Sequence, residues 1–253
     1  HNEPAYLNCR HEMLAASAAI GYAEKGGGLP AVLLHTAGGL LHCAMAIHGA
    51  YIEQVPILVF AGESARFTEG TDPERGRGWQ WLHLSDVGGP SRMAAPFVKW
   101  SQAVTSRETL AGAVARACQM ARMAPQGPVF LSLAKEYLQE ELEELKPQFP
   151  MPQSYSPPHP ADMEKVAALL MASKKPILIT ERAGDQPEAV QKLVDLAESL
   201  AMPVFESMSA EVVNFPKEHP LHAGFDVTQA IREADVVLVV SALHPWNPQR
   251  TSP

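Results

Sequence analysis

Short, unbroken apolar runs punctuate the chain: Ala31-Val32-Leu33-Leu34, Pro56 to Ala61, Val129 to Leu133, Pro176-Ile177-Leu178-Ile179-Thr180 and Val236 to Val240. Runs of this kind, without polar alternation, read as strands buried on both faces, the hallmark of a parallel sheet covered by helices. The stretches between them carry helical spacing. Met13, Leu14, Ala16, Ala19, Ile20 and Ala23 recur at three- and four-residue steps from Glu12 onward, and Gly26-Gly27-Gly28 stops that helix. A second helix is expected from about Leu40 to Glu53. A third should run over Thr105 to Ala124, capped by Ser106, with Leu110, Val114, Cys118 and Ala121 on one face. Asp162 to Ser173 and Pro187 to Leu200 read as two more. Strand–helix alternation of this kind implies right-handed crossovers. The fold class is therefore α/β, with two successive three-layer units and mainly parallel sheets.

The boundary between the units falls where composition changes. Glu136 to Glu144 is acidic, and Pro147, Pro150, Pro152, Pro157, Pro158 and Pro160 follow. Such a stretch is an extended, semi-rigid connector. The expected division is a first domain over 1–135, a linker over 136–160 and a second domain over 161–253. The first residue is His1, and the last strand is followed by no closing helix. Both ends read as cut, so an internal piece of a longer polypeptide is expected.

Composition narrows the function. A chain of 253 residues that is 46% hydrophobic can bury a sizeable core. A net charge of −8 argues against a nucleic-acid or anionic-membrane partner, which would need a basic footprint. No apolar run is long enough to span a bilayer. Three cysteines without a C-x-x-C pair, Cys9, Cys43 and Cys118, read as reduced thiols of a cytoplasmic protein.

Candidate chemistry gathers in the first third. Glu12 opens the first helix; taken alone, an acid there is explained by the helix dipole. Gly38-Gly39 forms a strand-to-helix turn that lets backbone approach a ligand or simply turns tightly. His35, His42 and His48 invite a metal reading, but 42 and 48 lie about 240° apart around a helix. Packed or solvent-facing histidines are the expectation, with no metal ligand set. The irregular segment from Glu63 to Pro96 holds Arg66, Arg75, Arg77 and Arg92 and reads as a functional loop, a surface excursion or a clamp for a substrate carboxylate. The acidic run from Glu136 reads as a solvated helix face.

Together these residues resemble a known family. Arg10-His11-Glu12-x-x-Ala15-Ala16-x-x-Ala19-x-Gly21-Tyr22-Ala23 is similar to the pyrimidine-binding domain of thiamine diphosphate enzymes, in the branch of acetolactate synthase and benzoylformate decarboxylase. Leu33 to Gly39, Val55-Pro56 through Gly62-Glu63, Pro96-x-x-Lys99-Trp100 and Gly127-Pro128-Val129 match later elements in order. Lys175 to Ile179, Leu196 to Val204, His219-Pro220-Leu221 and Asp235 to Val240 resemble the family's central domain. The fold implied is a thiamine diphosphate-binding domain followed by a Rossmann-like one. The sequence departs from the family at Ala37-Gly38-Gly39 in place of Gly-Pro-Gly, at His42 in place of Asn and at Glu63 in place of Gln. It departs again at Thr180-Glu181-Arg182-Ala183-Gly184, a substituted turn that argues against flavin or nucleotide binding.

The resemblance implies a 2-oxo acid decarboxylase or carboligase. Glu12 would share a proton with a ring nitrogen of the cofactor's aminopyrimidine, a task suited to a carboxyl whose pKa a dry pocket raises. Gly38, Gly39 and His42 would adjoin the cofactor, and Glu63 the substrate. Magnesium and the diphosphate would be held by a third domain whose Gly-Asp-Gly motif this sequence lacks. A homodimer or homotetramer of the complete protein is implied. Two other readings stay open: a non-catalytic scaffold or regulator of the same fold, and a dinucleotide-binding redox protein acting through the second unit.

Overall fold

The computed structural model describes residues 5–64, 86–138, 157–208, 210 and 212–248. The chain divides into two compact units, 1–156 and 157–253.

In the first unit, α1 (Glu12–Glu24) precedes β1 (Ala31–Leu34), α2 (Ala37–Ile52) and β2 (Leu58–Glu63). The short α3 (Pro90–Ala94) and a single 3-10 turn lead to β3 (Trp100–Val104). After these come α4 (Arg107–Arg122), β4 (Val129–Ala134) and the one-turn α5 (Lys135–Leu138). The four strands form a sheet in the order β1-β2-β4-β3, every pairing parallel. The helices cover it with small residues. Ala16 and Ala19 of α1, and Leu40, Cys43, Ile47 and Ala50 of α2, pack with Val32, Leu34, Val59 and Phe130. Ala113, Ala117 and Ala121 of α4 pack with Val104, Val129 and Leu131. Alanine at these contacts lets helix and sheet approach closely. A large residue such as Ile47, fully buried, contributes about 2–5 kcal/mol relative to Ala.

Some expectations need correction here. β1 is not buried on both faces: Ala31 and Leu33 are exposed while Val32 and Leu34 are buried. It lies at the edge of the described sheet, and its second face has no cover among the described residues. α2 begins at Ala37, so Gly38 and Gly39 lie inside the helix's first turn and not in the turn before it. Glu136 is buried, not solvated, and the neighbouring Tyr137 hydroxyl donates to the carbonyl of Thr105. The rest of the acidic run and most of the proline-rich connector lie outside the described residues. So do Arg66, Arg75 and Arg77; Arg92 sits in the last turn of α3.

The second unit comprises α6 (Pro160–Ala172), β5 (Pro176–Thr180), α7 (Pro187–Leu200), β6 (Val204–Glu206), β7 (His222–Gly224), α8 (Thr228–Glu233) and β8 (Val236–Val240). Its parallel sheet runs β7-β6-β5-β8. Every residue of the central strand β5 is buried. Among the described residues β8 pairs only with β5, and it stays half-buried, unlike the expectation from its apolar sequence. The short β7 and α8 carry too few apolar residues to stand out in sequence.

Candidate active site

His11 has extended backbone angles and caps α1, its Nδ1 accepting the backbone N–H of Met13 at 3.1 Å. That cap fixes Glu12 as the first helical residue. From α2, the Nδ1 of His42 donates to Oε2 of Glu12 at 3.0 Å, the direction a carboxylate acceptor selects. The His11 and His42 rings stack with centroids 5.3 Å apart and planes inclined by 16°. Gly39 closes the cluster from below. A β-carbon there would stand 3.2 Å from Cγ and 3.3 Å from Oε1 of Glu12. Glycine thus lets the α2 backbone lie directly against the carboxylate.

The electrostatics differ from the sequence expectation. The Glu12 carboxyl is held below its usual value, chiefly by a hydrogen bond from its own backbone N–H and then by His42. One third of the side chain is open to solvent, so the dry environment that would raise the value is not supplied by these neighbours alone. Beneath the site, burial and the nearby Glu12 charge push the Cys43 thiol up to about 12. Cys43 is therefore an inert packing residue whose Sγ lies 3.2 Å from the carbonyl of Gly39. Glu12, His11, Arg10 and His35 also line one end of a cavity of about 600 Å³ between residues 6–11, α1 and β1.

The structure brings Glu12, Gly39 and His42 together. Gly38 is not against the carboxylate: its nearest neighbour for an added β-carbon is Thr36 Oγ1 at 3.9 Å. Glu63 ends β2 with its side chain buried, and the adjacent Ser64 donates its backbone N–H and hydroxyl to Asp86 at 3.0 and 2.5 Å. Sequence reasoning missed His11. Its adjacency to Glu12 was the available signal, but a capping role is visible only once the helix start is fixed.

In the second unit the substituted turn after β5 is filled from within. Glu181 is buried and accepts the backbone N–H groups of Leu243 and His244 at 2.6 and 3.1 Å. These amides follow β8, on the far side of the point where the strand order reverses. Ligands of open α/β sheets bind at such a point. Asn214 ties the same region together, accepting from the Gly184 N–H at 3.0 Å and donating to the Glu181 carbonyl at 2.8 Å.

Both units are parallel sheets flanked by helices, and the first presents a carboxylate at the head of its first helix. The model of the thiamine pyrophosphate enzyme N-terminal TPP-binding domain matches residues 1–82, and that of the central domain of the same enzymes matches residues 163–251. The chain belongs to the thiamine pyrophosphate enzyme family. It is 25% identical over 243 residues to the acetolactate synthase large subunit of Corynebacterium glutamicum, covering 92% of this chain and 37% of that protein. Benzoylformate decarboxylase of Pseudomonas aeruginosa is 26% identical over 247 residues, covering 94% of this chain and 44% of that protein. Among solved structures, benzoylformate decarboxylase from Polynucleobacter necessarius superposes with a TM-score of 0.79 at 26% identity, over 96% of this chain and 46% of that one. The chain thus spans less than half the length of each of these relatives. No helix among the described residues is long and apolar enough to cross a membrane.

Proposed function

We propose that this chain supplies the pyrimidine-facing half of the site of a thiamine diphosphate-dependent enzyme that decarboxylates a 2-oxo acid, with acetolactate synthase-like carboligation as the onward step. The reaction class is lyase or transferase. The single observation that carries this is the Glu12 cluster: a carboxylate at the head of α1, reached by His42 and lying against Gly39. These residues fit the aminopyrimidine. Glu12 offers an acceptor oxygen, Oε1, that His42 does not take, on a side chain one third open to solvent. The cofactor supplies the electron sink for decarboxylation. Glu12 holds the proton that passes to and from the ring nitrogen, and His42 orients its carboxylate. We place Gly38 in the wall of the same site, and Glu63 on the substrate side. Magnesium and diphosphate ligands are assigned to a further domain, since no Gly-Asp-Gly occurs in this sequence.

The domain assignment follows: 1–135 as the pyrimidine-binding domain, 136–160 as linker and 161–253 as the central domain. The central domain binds no flavin in this reading. Glu181 already occupies the two backbone N–H groups that an anionic ligand would seek, and a carboxylate there repels phosphate. A cytoplasmic homodimer or homotetramer completes the proposal. Exposed Leu14, Leu41 and Met45 on α1 and α2, beside the site, suit a partner surface that would also dry Glu12.

The test is Glu12→Gln in the complete polypeptide, reading exchange of the thiazolium C2 proton of bound cofactor by NMR. Loss of about 10²–10⁴-fold in exchange rate is expected for removal of an acid–base group. Exchange at the wild-type rate would rule Glu12 out.

A further inference from the structure

The loop that leaves β8 turns two successive backbone N–H groups toward one point. Ser241 takes the left-handed conformation, with φ 50°. The N–H groups of Leu243 and His244 then converge on a single oxygen, Oε2 of Glu181, at 2.6 and 3.1 Å. Successive amides turned to one side form a concavity that binds anions. This one lies after β8, beside the end of β5, where the strand order of the second sheet reverses. Open α/β sheets hold their ligands at such a point. We propose that the amide pair of Leu243 and His244 is a binding site for a phosphate group, and that the Glu181 carboxylate is its tethered stand-in, which keeps the site closed in this chain.

The loop does not depend on the Glu181 side chain for its shape. The Arg182 N–H donates to the Ser241 carbonyl at 2.9 Å, and the Ser207 hydroxyl donates to the His244 carbonyl at 3.0 Å. The Glu181 backbone is held separately, its carbonyl accepting from Asn214 at 2.8 Å. Removing the carboxylate therefore empties the amide pair and leaves its frame in place. The approach from solvent is open, since Leu243 and His244 are exposed while Glu181 is only 5% exposed. A phosphate oxygen in the place of Oε2 satisfies both donors, which are costly to leave unpaired. In the wild-type chain the carboxylate wins by attachment. A tethered ligand acts at an effective concentration on the order of millimolar or higher, and its charge repels a second anion. One side chain, and not the lack of a site, thus keeps phosphate ligands out. The Glu12 chemistry is not involved, so a failed Glu12 test leaves this site untouched.

The experiment uses the 253-residue chain and its Glu181→Ala, Glu181→Ser and Glu181→Gln variants. Thermal unfolding is followed against inorganic phosphate and against ADP, with sodium chloride at matched ionic strength as the control. A ligand of the folded state raises the midpoint as its concentration rises. The Ala and Ser variants are expected to start below the wild type and to regain midpoint as either ligand is added. Calorimetry should show them binding at least about tenfold tighter than the wild type does. Glu181→Gln keeps an acceptor against the amides and should respond as the wild type does. ADP binding tighter than phosphate binding assigns the site to a nucleotide diphosphate, and equal or weaker ADP binding assigns it to the free anion. No response of either the Ala or the Ser variant to both ligands, whether or not the variants fold without them, would overturn the proposal. So would a wild-type or Gln response equal to theirs.

Discussion

Gly62 and the carbonyl oxygen of His35 lie so close that a β-carbon on Gly62 would overlap that oxygen. The contact joins the ends of β1 and β2, the two strands that flank the turn into α2. Because the obstacle is backbone and not a mobile side-chain tip, Gly62→Ala must push the strand ends apart. The expected cost is about 2–3 kcal/mol, read as a lower urea midpoint at unchanged slope. A midpoint within error of the wild type would show that the strand ends yield freely.

Gly39 presents the opposite balance. Its added β-carbon meets the flexible Glu12 side chain, at 3.2 and 3.3 Å, and the β-carbon of Leu34 at 3.5 Å. Gly39 sits in the first turn of α2, where alanine's gain over glycine is below the ~1 kcal/mol of a helix interior and only partly offsets the displacement. Gly39→Ala is expected to leave stability nearly unchanged while breaking the Glu12–His42 contact. The check is a ¹H–¹⁵N spectrum of His42, in which the Nδ1 hydrogen loses its carboxylate partner. A retained signal would mean that the carboxylate tolerates the methyl group.

The architecture was legible because β1, β2, β4 and β5 are short apolar runs introduced by Pro30, Pro56, Pro128 and Pro176, a pattern that parallel sheets favour. Exposure of Leu33 and the half-burial of β8 were not legible. A continuous apolar run does not say whether anything covers each face, and edge position depends on pairing. Gly38 and Gly39 look equivalent in sequence, yet only the helical phase set by Ala37 turns Gly39 toward Glu12. Likewise, His42 and His48 stand six positions apart on one helix, about 240° around its axis. No spacing rule, however, joins His42 to a residue on another element thirty positions earlier.

The depression of the Glu12 carboxyl has two main sources, its backbone N–H first and His42 second. His42→Ala should therefore raise the Glu12 titration midpoint part of the way toward the ordinary glutamate value, leaving the backbone contribution. Carbon-detected NMR titration of the Glu12 carboxyl measures it directly. A midpoint that does not move would mean that the 3.0 Å contact carries no weight in solution.

Asp235 links α6 to β8 in the second unit. Its carboxylate accepts from the Ser173 hydroxyl and from the backbone N–H groups of Lys174 and Lys175 at 2.7 and 3.0 Å. These bonds, the Ser173 hydroxyl first, hold its pKa at about 2, below the ~3.9 of an unfolded aspartate. The folded pKa is depressed, so the contribution is fully present above ~pH 4 and fades as the pH falls toward 2. Asp235→Asn should lower stability at neutral pH and flatten the dependence over that window. Parallel acid-unfolding curves for the two proteins would remove Asp235 from the account.

Glu206 is a buried carboxylate at the end of β6 in the second unit. Its side chain is wholly buried and meets Lys217, His222 at 3.0 Å and Asn214 at 3.2 Å. Burial pushes its pKa up, but the hydrogen bonds from Lys217, Asn214 and His222, with the charge of Lys217, outweigh it and hold the carboxyl below its usual value. The stability it provides is therefore present at neutral pH and lost in acid, below the ordinary glutamate range. Glu206→Ala strips three partners at once and strands buried polar groups, a loss of about 3–5 kcal/mol. Glu206→Gln keeps one acceptor oxygen for Lys217 and His222 but sets its NH2 group against the Asn214 donor, so it loses the charge and one accepted bond, and about 1–3 kcal/mol is expected. The ranking wild type, then Gln, then Ala in midpoint of thermal unfolding tests the network. Equal midpoints for Gln and Ala would show that the charge alone matters, and a Gln variant as stable as wild type would show that it does not matter at all.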